Sequence, residues 1–194
     1  MNTLASQTLT SLLNRLFDEA DANRPHIPET LRADVERMMR SRTEYRELYR
    51  LAKDYALPVS RDAGRLLYML ARGCNAKNIV EFGTSFGIST LHLAAALRDN
   101  GGGRLITTEF EPSKVLRASK NLEEADLLDL VEIREGDALE TLAMNLPEMI
   151  DLVLLDGAKA LYPDILQLLE SRLRPGAFIV ADNIEYSPEY VERV

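Results

Sequence analysis

The sequence predicts an α/β fold, Rossmann-like and doubly wound, with a mostly parallel sheet and helices on both faces. Three observations carry this. From Asn78 onward, short apolar runs alternate with helical patterns. The first run passes straight into a glycine turn, Glu81-Phe82-Gly83-Thr84-Ser85-Phe86-Gly87. Each apolar run is also followed by an acid: Glu81, Glu109, Asp137, Asp156 and Asp182.

Strands are expected at Asn78–Phe82, Arg104–Glu109, Val131–Glu135, Ile150–Asp156 and Ala177–Ala181, where apolar or β-branched residues cluster between turn signals. Helices are expected at Ser89–Arg98, Pro112–Glu124, Ala138–Asn145 and Tyr162–Arg172. Ser89 and Thr90 can cap the helix through Leu91 to Leu97. Strands separated by helices need right-handed crossovers, which makes the sheet parallel. Asn100-Gly101-Gly102-Gly103 is the clearest flexible turn.

The N-terminal part reads differently. Leu4, Leu9, Leu12, Leu13 and Leu16 lie at helical spacing, and Arg24-Pro25-His26-Ile27-Pro28 breaks that helix. Glu29 to Tyr55 is a charged helical stretch with a break near Ser41 to Thr43. Leu57-Pro58-Val59-Ser60 is a connector, and Arg61–Arg72 is a helix with Leu66, Leu67, Met69 and Leu70 on its apolar face. The chain is read as a single domain over 1–194, with a helical extension at 1–56 and the core at 57–194.

Composition sets limits. The 194 residues are 46% hydrophobic, enough for a proper core. No run approaches the roughly 20 apolar residues of a membrane span. Residues 1–18 lack the basic-then-apolar design of a leader, so a cytoplasmic location is expected. Cys74 is the only cysteine, so neither an internal disulfide nor a cysteine zinc cluster can form. A net charge of −8 argues against nucleic acid and against an anionic membrane as partner.

The glycine turn carries the first chemical signal. A dinucleotide site wants G-x-G-x-x-G to seat a pyrophosphate. Here the glycines are four apart, and an acid stands two residues before the first. A carboxylate there repels phosphate and suits a ligand bearing an ammonium group, which favours S-adenosylmethionine over NAD. Glu109 lies 22 residues beyond Gly87, close to where doubly wound folds place an acid on ribose hydroxyls, with Glu111 as an open alternative. Asp137-Ala138 stands where an adenine ring could be held.

Asp156 and the pair Asp182-Asn183 end the fourth and fifth strands. On neighbouring strands their oxygens would converge, and two carboxylates with one amide suit a hard cation such as Mg²⁺. His26 and His92 are isolated, which argues against zinc. A lysine beside a dication is pushed toward its neutral form and can serve as a general base, and Lys159 lies three residues beyond Asp156.

Together, Glu81-x-Gly83, Glu109, Asp137-Ala138, Leu155-Asp156-Gly157-Ala158-Lys159 and Ala181-Asp182-Asn183 resemble the cation-dependent, S-adenosylmethionine-dependent O-methyltransferases, including catechol and caffeoyl-CoA O-methyltransferases. The resemblance runs from about Leu57 to Asn183. It implies that Glu81 binds the methionine ammonium or nearby cofactor groups, and that Gly83, Thr84, Ser85 and Ser89 line the methionine end. Glu109 would take the ribose hydroxyls, Asp137 and Ala138 would border the adenine, and Val59 would contact the cofactor through its backbone. Asp156, also bordering the cofactor, would hold Mg²⁺ with Asp182 and Asn183, and Lys159 would be the base. The acceptor would be a small catechol-like or phenolic molecule, and a homodimer is expected.

Two departures stand out. Many bacterial members read Asp-Ala-Asp-Lys-x-Asn-Tyr at the fourth strand, whereas this chain reads Asp156-Gly157-Ala158-Lys159-Ala160-Leu161-Tyr162, so the acceptor pocket is not a standard one. Family sheets close with a C-terminal antiparallel pair, and the 11 residues after Asn183 are too few for it, so that pair is expected to be missing here. The rival readings are a class I methyltransferase with another acceptor, a non-catalytic S-adenosylmethionine-binding module, and a nicotinamide oxidoreductase, the last disfavoured by the glycine spacing.

Overall fold

The computed structural model describes residues 2–194. Five strands, β1 (Asn78–Phe82), β2 (Arg104–Glu109), β3 (Val131–Glu135), β4 (Ile150–Leu155) and β5 (Leu173–Ala181), form one sheet in the order β3-β2-β1-β4-β5, all parallel. Successive strand residues face opposite sides, and both sides of β1 are covered. Ile79 packs into one apolar cluster and Val80 into the other.

On the first face lie α1 (Gln7–Ala22), α4 (Arg61–Gly73), α5 (Ile88–Asp99) and α6 (Pro112–Glu124). There Leu9, Leu12, Leu16, Leu67, Leu91 and Leu122 meet Ile79, Leu105 and Leu152. On the opposite face lie α7 (Ala138–Thr141), α8 (Tyr162–Leu169) and α9 (Pro188–Arg193). Here Leu142, Ile165, Leu166 and Tyr190 meet Val80, Ile106 and Val153. The charged stretch resolves into α2 (Glu29–Met39) and α3 (Tyr45–Leu51), with a break at Arg40–Glu44. Of the N-terminal helices, α1 is part of the core itself. Leu9, Leu12 and Leu16 are each 1% exposed, and burying such a side chain is worth about 1.5–3 kcal/mol. Its first turn is capped by Ser6, whose Oγ accepts from Leu9 N at 3.3 Å. The preceding turn is tied to α5, where Asp99 accepts from Thr3 N and from Thr3 Oγ1 at 2.6 Å.

Several boundaries differ from the sequence reading. β4 stops at Leu155, leaving Asp156 in the loop beyond it. α7 ends at Thr141, and α8 ends at Leu169, followed by a 3-10 turn over Glu170–Arg172. β5 begins at Leu173, four residues earlier than expected, and reaches its register with β4 through an irregularity opposite Ile150 to Leu152. Pro175 and Gly176 sit inside it, which an edge strand tolerates. Beyond β5 the described residues form a 3-10 turn and α9, and no strand. Among the described residues no helix is long and apolar enough to cross a membrane.

Packing of α4 on α5 depends on one missing side chain. A Cβ at Gly64 would lie 2.6 Å from the ring of His92, which is buried and donates through Nδ1 to Ile88 O at 2.8 Å. Gly64→Ala is expected to lower the unfolding free energy by about 1–3 kcal/mol in urea titration. The loss should be smaller in a His92→Ala background, where the ring no longer occupies the space.

Candidate functional site

The sheet order reverses between β1 and β4, and in open α/β sheets ligands bind beyond the carboxyl ends of strands at that point. A cleft lies there. Its floor is a seam between the two strands. Asp156 N donates to Phe82 O at 2.8 Å, and Gly83 (φ +105°) approaches so closely that a Cβ would lie 2.7 Å from Asp156 O. No L-residue with a side chain fits that backbone and that space. Gly87 (φ +84°) then turns the chain into α5 and is itself the N-cap residue. The capping expected of Ser89 and Thr90 is therefore corrected: both lie within the first turn of α5, and their hydroxyls bond elsewhere.

They bond to Glu81. Its carboxylate is fully buried between the sheet and α5 and accepts from Ser89 Oγ, Thr90 Oγ1 and Thr107 Oγ1, each at 2.6 Å. Thr107 in turn pairs with Thr84 at 2.6 Å. Glu81 does not line the cleft; it lies beneath the glycine turn and braces it. Burial pushes its carboxyl up to about 7, against the pull of the three hydroxyls.

Gly83, Thr84, Ser85, Ser89, Val59, Glu109, Asp137, Ala138 and Asp156 all line the cleft. Glu109 accepts from Ser85 N at 2.8 Å and from Glu111 N at 2.9 Å, so each oxygen keeps capacity for one more donor. Burial raises its pKa, opposed by those backbone N–H groups and by Lys114. Ser85 Oγ donates to Ala56 O, fastening the turn to the connector. Asp137 caps α7 by accepting from Leu139 N at 3.0 Å, and it also pairs with Arg46 of α3. Thr108, likewise at the cleft, has a buried hydroxyl without a partner among the described residues. A carboxylate with free lone pairs, an unpaired hydroxyl and apolar walls at Phe86, Ile88 and Ala138 fit a nucleoside.

Sequence reasoning missed the cover. Tyr45 and Tyr49, one turn apart on α3, line the cleft from the N-terminal segment. Tyr49 Oη donates to Gly157 O at 3.0 Å. The i, i+4 tyrosine pair was the available signal. Lys114, discussed below, was also missed.

Lys159 is 5% exposed and lies 2.7 Å from Asp156 Oδ1 and 3.6 Å from Asp182 Oδ2. Burial raises the Asp156 pKa to about 6; Lys159 draws it down and Asp182 pushes it up. Asp182 is anchored by its backbone, N to Leu155 O at 2.9 Å and O from Tyr162 Oη at 2.9 Å. Asn183 is exposed, with left-handed backbone (φ 49°, ψ 48°). Lys159, Asp182 and Asn183 flank the cleft rather than line it. Among the described residues no three His, Cys, Asp or Glu side chains form a metal-holding group, so a cation here would need the Asn183 amide as its third protein donor. Two carboxylates already converging on one positive charge, with that amide adjacent in sequence, fit a hard divalent cation by donor chemistry.

A family model described as a methyltransferase domain matches residues 80–184. The chain belongs to that family. It is 41% identical over 132 residues to a catechol O-methyltransferase of Niastella koreensis, an alignment covering 66% of this chain and 59% of that protein. The chain thus spans about three fifths of the length of this curated relative. Among solved structures, the O-methyltransferase from Bacillus cereus in complex with SAH superposes with a TM-score of 0.68 at 25% identity, covering 95% of this chain and 86% of that one. The O-methyltransferase TomG from Streptomyces achromogenes, involved in tomaymycin synthesis and solved with SAM, gives 0.64 at 27% identity, covering 97% and 86%. The resemblance drawn from the motifs and the doubly wound fold of this methyltransferase domain are both borne out.

The buried acid of the methyltransferase domain gives a pH signature. The folded pKa of Glu81, about 7, lies above the unfolded carboxyl value of 4.5, so the folded state holds the extra proton between them. Its contribution is fully favourable below pH 4.5 and is lost as pH rises through 7. Relative to Glu81→Gln, the wild-type unfolding free energy should fall by up to about 3 kcal/mol between pH 4.5 and 8 in urea titrations. Parallel pH profiles for the two proteins would show that Glu81 does not titrate there.

Proposed function

We propose that this chain is an S-adenosylmethionine-dependent O-methyltransferase that methylates a hydroxyl of a small, catechol-like or phenolic acceptor with the help of a divalent cation such as Mg²⁺. The observation that carries this reading is the buried Lys159 side chain, its Nζ 2.7 Å from Asp156 at the β4 end of a cleft whose other wall is the glycine turn. The cofactor and activity are supported by relatives named as O-methyltransferases and by neighbours solved with SAH or SAM.

Glu109 accepts the ribose hydroxyls, Ala138 and Asp137 border the adenine, and Gly83, Thr84, Ser85 and Ser89 flank the methionine end, with Val59 behind. Glu81 acts from beneath, fixing the turn through Ser89 and Thr107. Tyr45 and Tyr49 line the cleft from α3 and would shield a bound cofactor from water. Asp156, Asp182 and Asn183 would hold the cation, and Lys159, as the neutral amine that a neighbouring dication favours, would take the proton from the acceptor hydroxyl. Bound S-adenosylmethionine supplies an electrophilic methyl group and the cation supplies Lewis acidity that lowers the hydroxyl pKa. The chain's main contribution is alignment: the β1–β4 seam sets the donor turn and the Lys159 loop at a fixed separation.

Lys159→Met is expected to lower kcat on catechols by about 10²- to 10⁴-fold while leaving SAH affinity in calorimetry unchanged. Full activity in this variant would remove Lys159 as the base. EDTA should abolish turnover of catechols and caffeoyl esters, and added Mg²⁺ should restore it in wild type but not in Asp156→Ala. Turnover indifferent to both EDTA and the substitution would exclude the cation. SAH binding without turnover of any acceptor would favour a binding module.

A further inference from the structure

Lys114 has no place in the function so far described, and its surroundings do not explain it. It lies in the first turn of α6, five residues beyond Glu109, and is only 3% exposed. Lysine is almost never fully buried unless paired. Among the described residues, however, its ammonium makes no hydrogen bond and has no carboxylate within ion-pairing distance; Glu109, Glu111 and Asp54 act on it only from farther away. Its one close partner is the Phe86 ring, whose centroid lies 5.9 Å from Nζ, and that ring is shared with Arg117 at 5.1 Å. The helix itself disfavours a cation here, because the first turn carries the positive end of the macrodipole. Burial accordingly lowers the Lys114 pKa.

What Lys114 does face is the cleft, whose wall it shares with Glu109 and Phe110. An ammonium carries three donors and no acceptor. Glu109 on the same wall is acceptor-only when ionised and has capacity left on both oxygens. A hydroxyl that donates to a carboxylate still offers oxygen lone pairs, and a neighbouring cation is what those lone pairs need. We propose that Lys114 is a second cofactor-binding residue at the ribose, donating to the hydroxyl oxygens whose protons Glu109 accepts. The pair reads each hydroxyl as both donor and acceptor, so the site selects a ribonucleoside over its deoxy forms. On that assignment the cofactor's own positive charges would lie at its methionine end, toward Gly83 and Asp156 and away from Lys114. This inference rests on the cofactor assignment under Proposed function.

The test is calorimetry on the intact chain with SAH and its 2′-deoxy and 3′-deoxy analogues, for wild type, Lys114→Met and Lys114→Arg. Lys114→Met preserves the apolar stem, and thermal unfolding checks that it folds. SAH affinity should fall about 10- to 100-fold in Lys114→Met, the range for losing a hydrogen bond to a charged group. It should recover most of that in Lys114→Arg. The penalty for at least one deoxy analogue should shrink in Lys114→Met, because the missing hydroxyl has already lost its donor. A Lys114→Met affinity within twofold of wild type overturns the proposal. So does a loss of equal size for SAH and both deoxy analogues, which would mark Lys114 as structural support for Phe86. Failure of the wild type to bind SAH would instead overturn the cofactor assignment, and this inference with it.

Discussion

The seam between β1 and β4 is the constraint on which the site depends. Gly83 and Asp156 meet backbone to backbone, with no room for even a methyl group between them. Because Asp156 N is tied to Phe82 O and Asp182 N to Leu155 O, the ends of β1, β4 and β5 advance as one edge. The glycine turn and the Lys159 loop are thereby mounted on adjacent strands of a sheet buried on both faces. A displacement of either would have to break parallel ladder bonds in the middle of the core. Rigid strands thus hold apart, at a fixed distance, two loops that carry different chemistry.

Glu81 makes the same edge expensive to alter from below. A buried carboxylate is tolerated only where hydrogen bonds replace water, and here three hydroxyls do so. They come from two elements, α5 and β2, while the acid belongs to β1. The network therefore pins the N-terminal turn of α5 against the sheet, where an apolar residue would only fill space. The compensation is incomplete, as the rise of its carboxyl to about 7 records. Stability given up at a fixed functional turn is a recurrent pattern in proteins.

Much of this framework was legible in the sequence. β1, β2, β3 and α6 begin and end where the pattern places them, because each is bounded by a local signal: a glycine turn, Gly101 to Gly103, or Pro112 at the start of α6. What was illegible depends on partners far along the chain. Ser89 and Thr90 look like caps until Glu81 is seen to take their hydroxyls. β5 hides its start behind Pro175 and Gly176, whose turn character is real but harmless on an edge strand. Tyr49 meets Gly157 across 108 residues, and the tyrosine pair that marks one face of α3 does not say what that face meets. Lys114 reads as an ordinary solvated charge, and only its burial says otherwise.

The N-terminal segment divides into two parts attached by different forces. α1 is attached by apolar burial, with six residues inside the core, so it cannot leave without exposing the sheet. α2 and α3 bury no residue fully. They are held by charges, Arg42 to Asp164 and Glu189, Arg46 to Asp137, and Arg40 over the ring of Tyr186, and by Tyr45 and Tyr49, which pack against the second core cluster, Tyr49 also donating to Gly157 O. Exposed pairs of this kind contribute about 0–1 kcal/mol each and weaken with salt. The segment that supports the cleft is therefore fully embedded in the core, whereas the one that covers it is only partly buried. That asymmetry puts a fixed floor beneath the cleft and a less deeply buried wall, Tyr45 and Tyr49, above it. The glycine turn is set by backbone pairing, Asp156 N to Phe82 O, whereas the two tyrosines above it are set by side-chain contacts, Tyr49 with Gly157 O and Tyr45 with Asp137.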